Sequence, residues 1–254
     1  MQEVLAIDVG NSSSKLARYQ VSPAGVDLIS VRGVANDGDW RTEIAREQPS
    51  GWVSIGSVVS GSAKSIAEAA GRVVTADRVA IQTSTSLGPM VRCDPPEAVG
   101  VDRVAAVLGA SLFFNSPVIT VDFGTAITID AGDSRQFLGG FILPGPTMMF
   151  RAMHDYTSAL PLLNWDASDT SPLTLGRSTA AAMQTGVRSL VRHGVAEAAL
   201  ALRAEVAGEL GCGTDDVVVV RTGGAVVPFG VGERTLPDAV TRGLAIAATR
   251  ELHY

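Results

Sequence analysis

Two short stretches of the chain share one pattern, an apolar run closed by a carboxylate, a glycine and an amide or hydroxyl side chain. Val4-Leu5-Ala6-Ile7 leads into Asp8-Val9-Gly10-Asn11, and Val118-Ile119-Thr120-Val121 leads into Asp122-Phe123-Gly124-Thr125. A glycine lets backbone approach a ligand closely because no Cβ intervenes. Successive N–H groups in such a turn form a concavity suited to phosphate oxygens. The neighbouring carboxylate repels phosphate, and makes sense as a holder of Mg²⁺, which takes oxygen ligands and keeps several waters. One Asp-x-Gly is ordinary turn chemistry. Two copies, at corresponding points of two halves, point to a pair of turns clamping a nucleoside triphosphate. A third glycine turn, Thr222-Gly223-Gly224, follows the run Val217-Val218-Val219-Val220 and suits a nucleoside lying against backbone.

A second constellation is Gly100-Val101-Asp102-Arg103. Asp102 at a helix N-terminus has a plain explanation in the macrodipole. It also suits a general base that takes a proton from a substrate hydroxyl, with Arg103 pairing a substrate carboxylate bidentately. Spacing alone leaves both readings open, and Gly100, which makes room for a ligand, tips the balance towards function. Other motifs fail. Gly56 and Gly61 have Walker A spacing, but Ser62 stands where the lysine belongs. Gly208, Gly211 and Gly213 precede a strand instead of following one, so they make no dinucleotide fingerprint. His154, His193 and His253 match no zinc spacing, and no Gly-x-Ser-x-Gly elbow occurs.

The elements that must carry these residues read as follows. Residues 4–7 form a strand, and residues 14–19, with Lys15, form its hairpin partner. Residues 52–59 form a buried strand, 63–70 a helix, and Arg72-Val73-Val74 the next strand. A helix beginning near Pro95-Pro96-Glu97 turns Val104, Val107, Leu108 and Leu112 to one face. Strands at 118–121 and 126–130 flank the second turn, and a glycine-rich stretch follows at 137–145. A helix from about Ser178 buries Ala180, Met183, Val187, Leu190 and Val191, and another over 195–210 buries Ala198, Leu202 and Val206. Residues 217–220 are a strand buried on both faces. Asp238 caps a last helix carrying Val240, Leu244, Ala247 and Leu252. Strands alternating with helices give an α/β class. The repeated turns lie 114 residues apart in a chain of 254. That spacing predicts a duplicated unit, with domains at 1–115 and 116–254 and a cleft between them.

Composition narrows the alternatives. The chain is 46% hydrophobic and 18% charged, with a formal charge of −6, which disfavours general nucleic-acid or membrane-surface binding. Cys93 and Cys212 are too few for a disulfide framework. Apolar residues come in bursts too short to span a bilayer, and the first residues lack a signal-peptide pattern. A soluble, reduced, cytoplasmic protein is expected.

Taken in order, Asp8-Val9-Gly10-Asn11, Gly100-Val101-Asp102-Arg103, Asp122-Phe123-Gly124-Thr125-Ala126, Gly139-Gly140-Phe141-Ile142-Leu143-Pro144-Gly145 and Thr222-Gly223-Gly224 resemble the motifs of type III pantothenate kinases. The resemblance implies an actin/hexokinase-like (ribonuclease H-like) fold, a homodimer, and phosphorylation of pantothenate by ATP in coenzyme A synthesis. It implies Asp8 as Mg²⁺ holder, with Gly10, Asn11 and Lys15 at the nucleotide. Asp102 becomes the base, and Gly100, Val101 and Arg103 bind pantothenate. Asp122, Gly124 and Thr125 form the second phosphate turn, and Gly223 and Gly224 meet the nucleoside. Asp130 looks like the ligand of a monovalent cation, K⁺ or NH₄⁺. Gly176-Arg177-Ser178-Thr179 is similar to a segment whose threonine reaches the partner subunit's pantothenate. The chain departs from the pattern at Ser12, at Val101, and at residues 90–95, which hold no aromatic near the substrate. Two other functions fit the same motifs: a non-catalytic regulatory relative of the transcription accessory type, or a kinase with another acceptor, such as a sugar.

Overall fold

The computed structural model describes residues 1–169, 171–224 and 229–250. Its elements run β1 (Gln2–Val9), β2 (Ser14–Ser22), β3 (Gly25–Val34), α1 (Trp40–Arg46), β4 (Trp52–Ser57), α2 (Ser62–Ala70), β5 (Val79–Gln82), β6 (Met90–Val91) and α3 (Val101–Phe114). They continue with β7 (Val118–Phe123), β8 (Ala126–Gly132), β9 (Gln136–Pro144), α4 (Pro146–Asp155), α5 (Thr179–Ser189), α6 (Val195–Leu210), β10 (Val218–Gly223), β11 (Arg234–Thr235) and α7 (Ala239–Arg250). Two compact units divide the chain. Among the described residues one holds Met1–Asn115, Gly132–Gly139 and 238–250, the other Ser116–Ala131 and the described part of Gly140–Pro237.

In the first unit the sheet order is β3-β2-β1-β4-β5. β1, β2 and β3 are antiparallel neighbours, and β4 and β5 run parallel to β1. β1 reads as an unbroken apolar run because both of its faces are covered. Leu5, Ile7 and Val9 join Leu16, Ile55, Ile44 of α1 and Ile66 of α2 in one core. The other face takes α7, where Ser54 Oγ donates to the Leu244 carbonyl at 2.7 Å. Tyr19, fully buried, bonds the Asp238 carboxylate at 3.0 Å and Thr241 Oγ1 at 2.7 Å.

In the second sheet β7 is central. β10 runs parallel to it and β11 parallel to β10, within the order β11-β10-β7-β8-β9-β6. Taken from β9, that order is β9-β8-β7-β10-β11, strand for strand the order of the first sheet. The repeat legible in the two acidic turns is therefore a repeat of topology.

Most expected elements stand, and several are corrected. Residues 72–74 are not a strand. Their N–H groups continue the turn off α2, Val73 and Val74 both donating to the Ala70 carbonyl at 2.8 and 2.9 Å, and the next strand is β5. Residues 96–98 form a separate 3-10 turn, so the long helix starts at Val101 and not at the prolines. Of its expected face, Val104, Val107 and Leu108 are buried but Leu112 is exposed. The glycine-rich stretch is largely strand β9, whose small residues still extend. Leu190 is exposed, in a π turn that joins α5 to α6. Asp238 precedes α7, its carbonyl accepting the Arg242 N–H at 2.9 Å and its carboxylate accepting from Tyr19 at 3.0 Å and from the Arg242 guanidinium at 2.9 Å. Leu252 and His253 lie outside the described residues. Among the described residues no helix is long and apolar enough to cross a membrane, and Cys93 and Cys212 are free thiols.

Candidate active site

Asp8 sits half-buried near the end of β1, opposite Lys15 in the hairpin register. The turn beyond it is closed by the Gly10 N–H, which donates to the Ser13 carbonyl at 3.2 Å. A residue not anticipated from the sequence fastens this turn from outside. Asn36, between β3 and α1, donates through Nδ2 to the Gly10 carbonyl at 2.8 Å and, more weakly, to that of Asn11 at 3.5 Å. Its Oδ1 accepts from Ser14 Oγ at 2.6 Å. Asn36-Asp37-Gly38 carries an evident turn signal, but nothing local pairs it with a turn 26 residues earlier.

Within the same unit the Gly100–Arg103 group comes close to this strand end. Val58, just past β4, donates its N–H to the Val9 carbonyl at 3.1 Å. Its Cγ1 lies 3.6 Å from where a Cβ of Gly100 would stand. Gly100 is the N-cap of α3, Val101 is buried, and Asp102 and Arg103 fall in the helix's first turn. Asp102 Oδ1 accepts from the Arg103 N–H at 2.9 Å. Burial pushes the Asp102 carboxyl above the usual carboxylate range, opposed by that N–H bond and by the charge of Arg103. The Arg103 guanidinium lies over the buried Phe137 ring, 5.6 Å from its centroid. A flat cation braced on an aromatic face is preorganised for a carboxylate.

The second unit brings Asp122, Gly124, Thr125 and Gly223 together. Thr222 and Gly223 of β10 lie beside Asp122 and Phe123 of β7 in register. Gly124 donates its N–H to the Ala126 carbonyl at 3.1 Å, and Gly145 donates to the Thr125 carbonyl at 3.2 Å. Gly145 is the N-cap of α4 and Pro146 its first residue. The positive end of a ten-residue helix is thus tied to the second acidic turn, an arrangement suited to anions. The sequence signal for α4 was present in Gly145-Pro146, since proline favours the first helical position. Gly224 is exposed, with open space where a side chain would be.

Two expected residues stand elsewhere in this unit. Asp130 on β8 is fully buried, and the Gly140 backbone packs so closely that a Cβ there would lie 2.8 Å from Asp130 Oδ1. Thr179 is exposed at the first residue of α5, behind Ser178, whose Oγ accepts from the Ala181 N–H at 3.2 Å. Of the histidines, His154 and His193 are exposed. No cluster of three His, Cys, Asp or Glu side chains occurs among the described residues.

The family model for type III pantothenate kinase matches residues 4–200. The type III pantothenate kinase of Kosmotoga olearia is 33% identical over 178 residues, covering 68% of this chain and 64% of that protein. The one from Parafrankia sp. is 30% identical over 227 residues, covering 87% and 86%. Among solved structures, a conserved protein from Campylobacter jejuni assigned to the Baf family superposes with a TM-score of 0.58 at 17% identity, covering 98% of this chain and all of that one. The α/β architecture, with its twice-used strand order, is the actin/hexokinase-like fold. The chain belongs to the type III pantothenate kinase family.

Proposed function

We propose that this protein transfers the terminal phosphoryl group of ATP to the primary hydroxyl of pantothenate, giving 4'-phosphopantothenate and ADP at the first step of coenzyme A synthesis. The observation that carries this reading is Asp102, a desolvated carboxylate in the first turn of α3, whose N-cap Gly100 lies near Val58, the residue that bonds the Val9 carbonyl next to Asp8. Asp102 accepts the hydroxyl proton as the oxygen–phosphorus bond forms and the bond from the terminal phosphorus to ADP breaks. A base whose proton affinity is raised by burial is better matched to that transfer near neutral pH. Arg103, braced on Phe137, pairs the pantothenate carboxylate, and Gly100 and Val101 shape the surface beside it.

Phosphoryl transfer depends on positioning and on neutralising charge. The turns at Asp8 and Asp122 supply backbone N–H groups, with Lys15 and the start of α4 adding positive potential. Gly223 and Gly224 lie against the nucleoside. Asp8, half-buried at a strand end, fits one-carboxylate, water-rich Mg²⁺ binding. Asp130, a fully buried carboxylate on β8, is the residue assigned to a monovalent cation in this reading. When bound, Mg²⁺ would neutralise triphosphate charge, and K⁺ or NH₄⁺ would balance Asp130. The protein acts as a homodimer in this reading, with Thr179 of each copy reaching the other's acceptor. Leu190 and Leu200, 61% and 45% exposed on the α5–α6 segment, support such a surface.

The test is ADP release from ATP with pantothenate, glucose, N-acetylglucosamine or acetate as acceptor, with and without K⁺. Release dependent on pantothenate and stimulated by K⁺ is expected. Release with a sugar alone would replace the acceptor, and none with any acceptor would leave a non-catalytic relative.

A further inference from the structure

We propose that Asn36 is the positioning residue of the first phosphate turn, an inference that rests on the nucleotide-binding reading of Asp8–Asn11. The amide of Asn36 has one orientation that serves both of its ends. Ser14 Oγ donates to Oδ1 at 2.6 Å, which leaves the Nδ2 hydrogens for the Gly10 carbonyl at 2.8 Å and the Asn11 carbonyl at 3.5 Å. Ser14 is itself buried and lies beside Val34 in the β2–β3 register, so the strand pairing delivers Asn36 to the turn.

The consequence follows from peptide geometry. In a planar trans peptide the carbonyl and the following N–H point in opposite directions. Holding the Gly10 carbonyl towards Asn36 therefore aims the Asn11 N–H the other way, and holding the Asn11 carbonyl does the same for the Ser12 N–H. A turn rich in glycine and serine has many alternatives to this arrangement, and ordering it only when ligand arrives would weaken binding. Asn36 sets the direction of the N–H groups beforehand, without touching the nucleotide.

The experiment compares wild type with Asn36→Ala, Asn36→Asp and Ser14→Ala. It reads KM for ATP and for pantothenate separately, ADP affinity by calorimetry, and the thermal midpoint. Asn36→Ala is expected to weaken ATP and ADP about tenfold, the scale of one lost hydrogen bond, with the pantothenate KM within about twofold of wild type. Asn36→Asp should weaken nucleotide binding further, because a carboxylate cannot donate to two carbonyls and repels phosphate. Ser14→Ala, which removes only the orienting hydroxyl, should show about a threefold effect and stands in if Asn36→Ala does not fold. Nucleotide affinity unchanged in the folded variants, or both KM values rising together, would overturn the proposal. Absence of pantothenate-dependent turnover in wild type would overturn the acceptor assignment instead, while the calorimetric ratio still decides Asn36.

Discussion

A Cβ placed on Gly100 would stand 2.5 Å from Oδ1 of Asp102, inside any permitted contact. The backbone of Gly100, at φ −58° and ψ 132°, is one that any residue adopts. The glycine therefore serves the carboxylate and not the chain path. Gly100→Ala should still fold, with stability in a thermal melt lowered by no more than about 1 kcal/mol, since glycine is preferred to alanine at an N-cap. Its kcat should fall by about tenfold or more, as Asp102 is driven from its position. Steady-state kinetics beside a thermal melt check this, and an unchanged kcat would show that the carboxylate's present position is dispensable.

Asp102→Asn should lower turnover by a factor on the order of 10² to 10⁴ while leaving the fold intact. The pH behaviour has a definite sign. Burial raises the proton affinity of Asp102 in the folded protein, so the folded state favours the protonated form. The charged form therefore costs stability at pH values above the raised pKa, and that cost disappears as pH falls through it. Relative to wild type, the asparagine variant should melt higher near neutral pH, and this advantage should shrink on acidification. The wild-type acid limb of kcat/KM should also lie above the ordinary carboxylate range. A limb at or below that range would separate Asp102 from the proton transfer.

The two acidic turns were legible because their chemistry is local: a strand, a carboxylate and a glycine in succession. Asp102 and Arg103 were legible for the same reason. Asn36 was not, because its role depends on β3 returning beside β2, a pairing that no short window of sequence records. Val58 escaped likewise, since a valine after a strand carries no chemical signal until the strand's neighbours are known. Residues 72–74 misled in the opposite sense. Their β-branched valines favour a strand, yet both N–H groups are captured by the Ala70 carbonyl at the end of α2. β9 was obscured by its glycines, which weaken the strand signal where backbone must pass close to Asp130.

Gly223 holds φ at +86°, and a Cβ there would lie 2.2 Å from Asp122 Oδ1 and 2.8 Å from the Phe123 nitrogen. Both the conformation and the contact exclude a side chain. Gly223→Ala should cost about 1–3 kcal/mol of stability, visible as a lower thermal midpoint, and should weaken ATP more than pantothenate. Equal effects on both substrates would place the damage outside the nucleotide site.

Arg103→Lys keeps the charge but loses the planar fork and the stacking on Phe137. The expected outcome is a pantothenate KM raised about tenfold with the ATP KM little changed. The amide analogue of pantothenate, which lacks the carboxylate, should bind wild type and variant alike. If the analogue still distinguishes the two, Arg103 acts on some other part of the acceptor.

The buried Asp130 gives a prediction that does not require turnover. A carboxylate removed from water is costly unless a positive group accompanies it. If K⁺ is that group, it binds the folded chain and not the unfolded one, so K⁺ should raise the thermal midpoint. At a concentration one hundred times its Kd the gain is about 2.7 kcal/mol, or several degrees for a chain of this size. In that case Asp130→Asn removes the charge that K⁺ would balance. Its midpoint should be insensitive to K⁺, and its activity should lose K⁺ stimulation in parallel. A wild-type midpoint that does not respond to K⁺, NH₄⁺ or Na⁺ would show that the balancing charge of Asp130 comes from the protein itself.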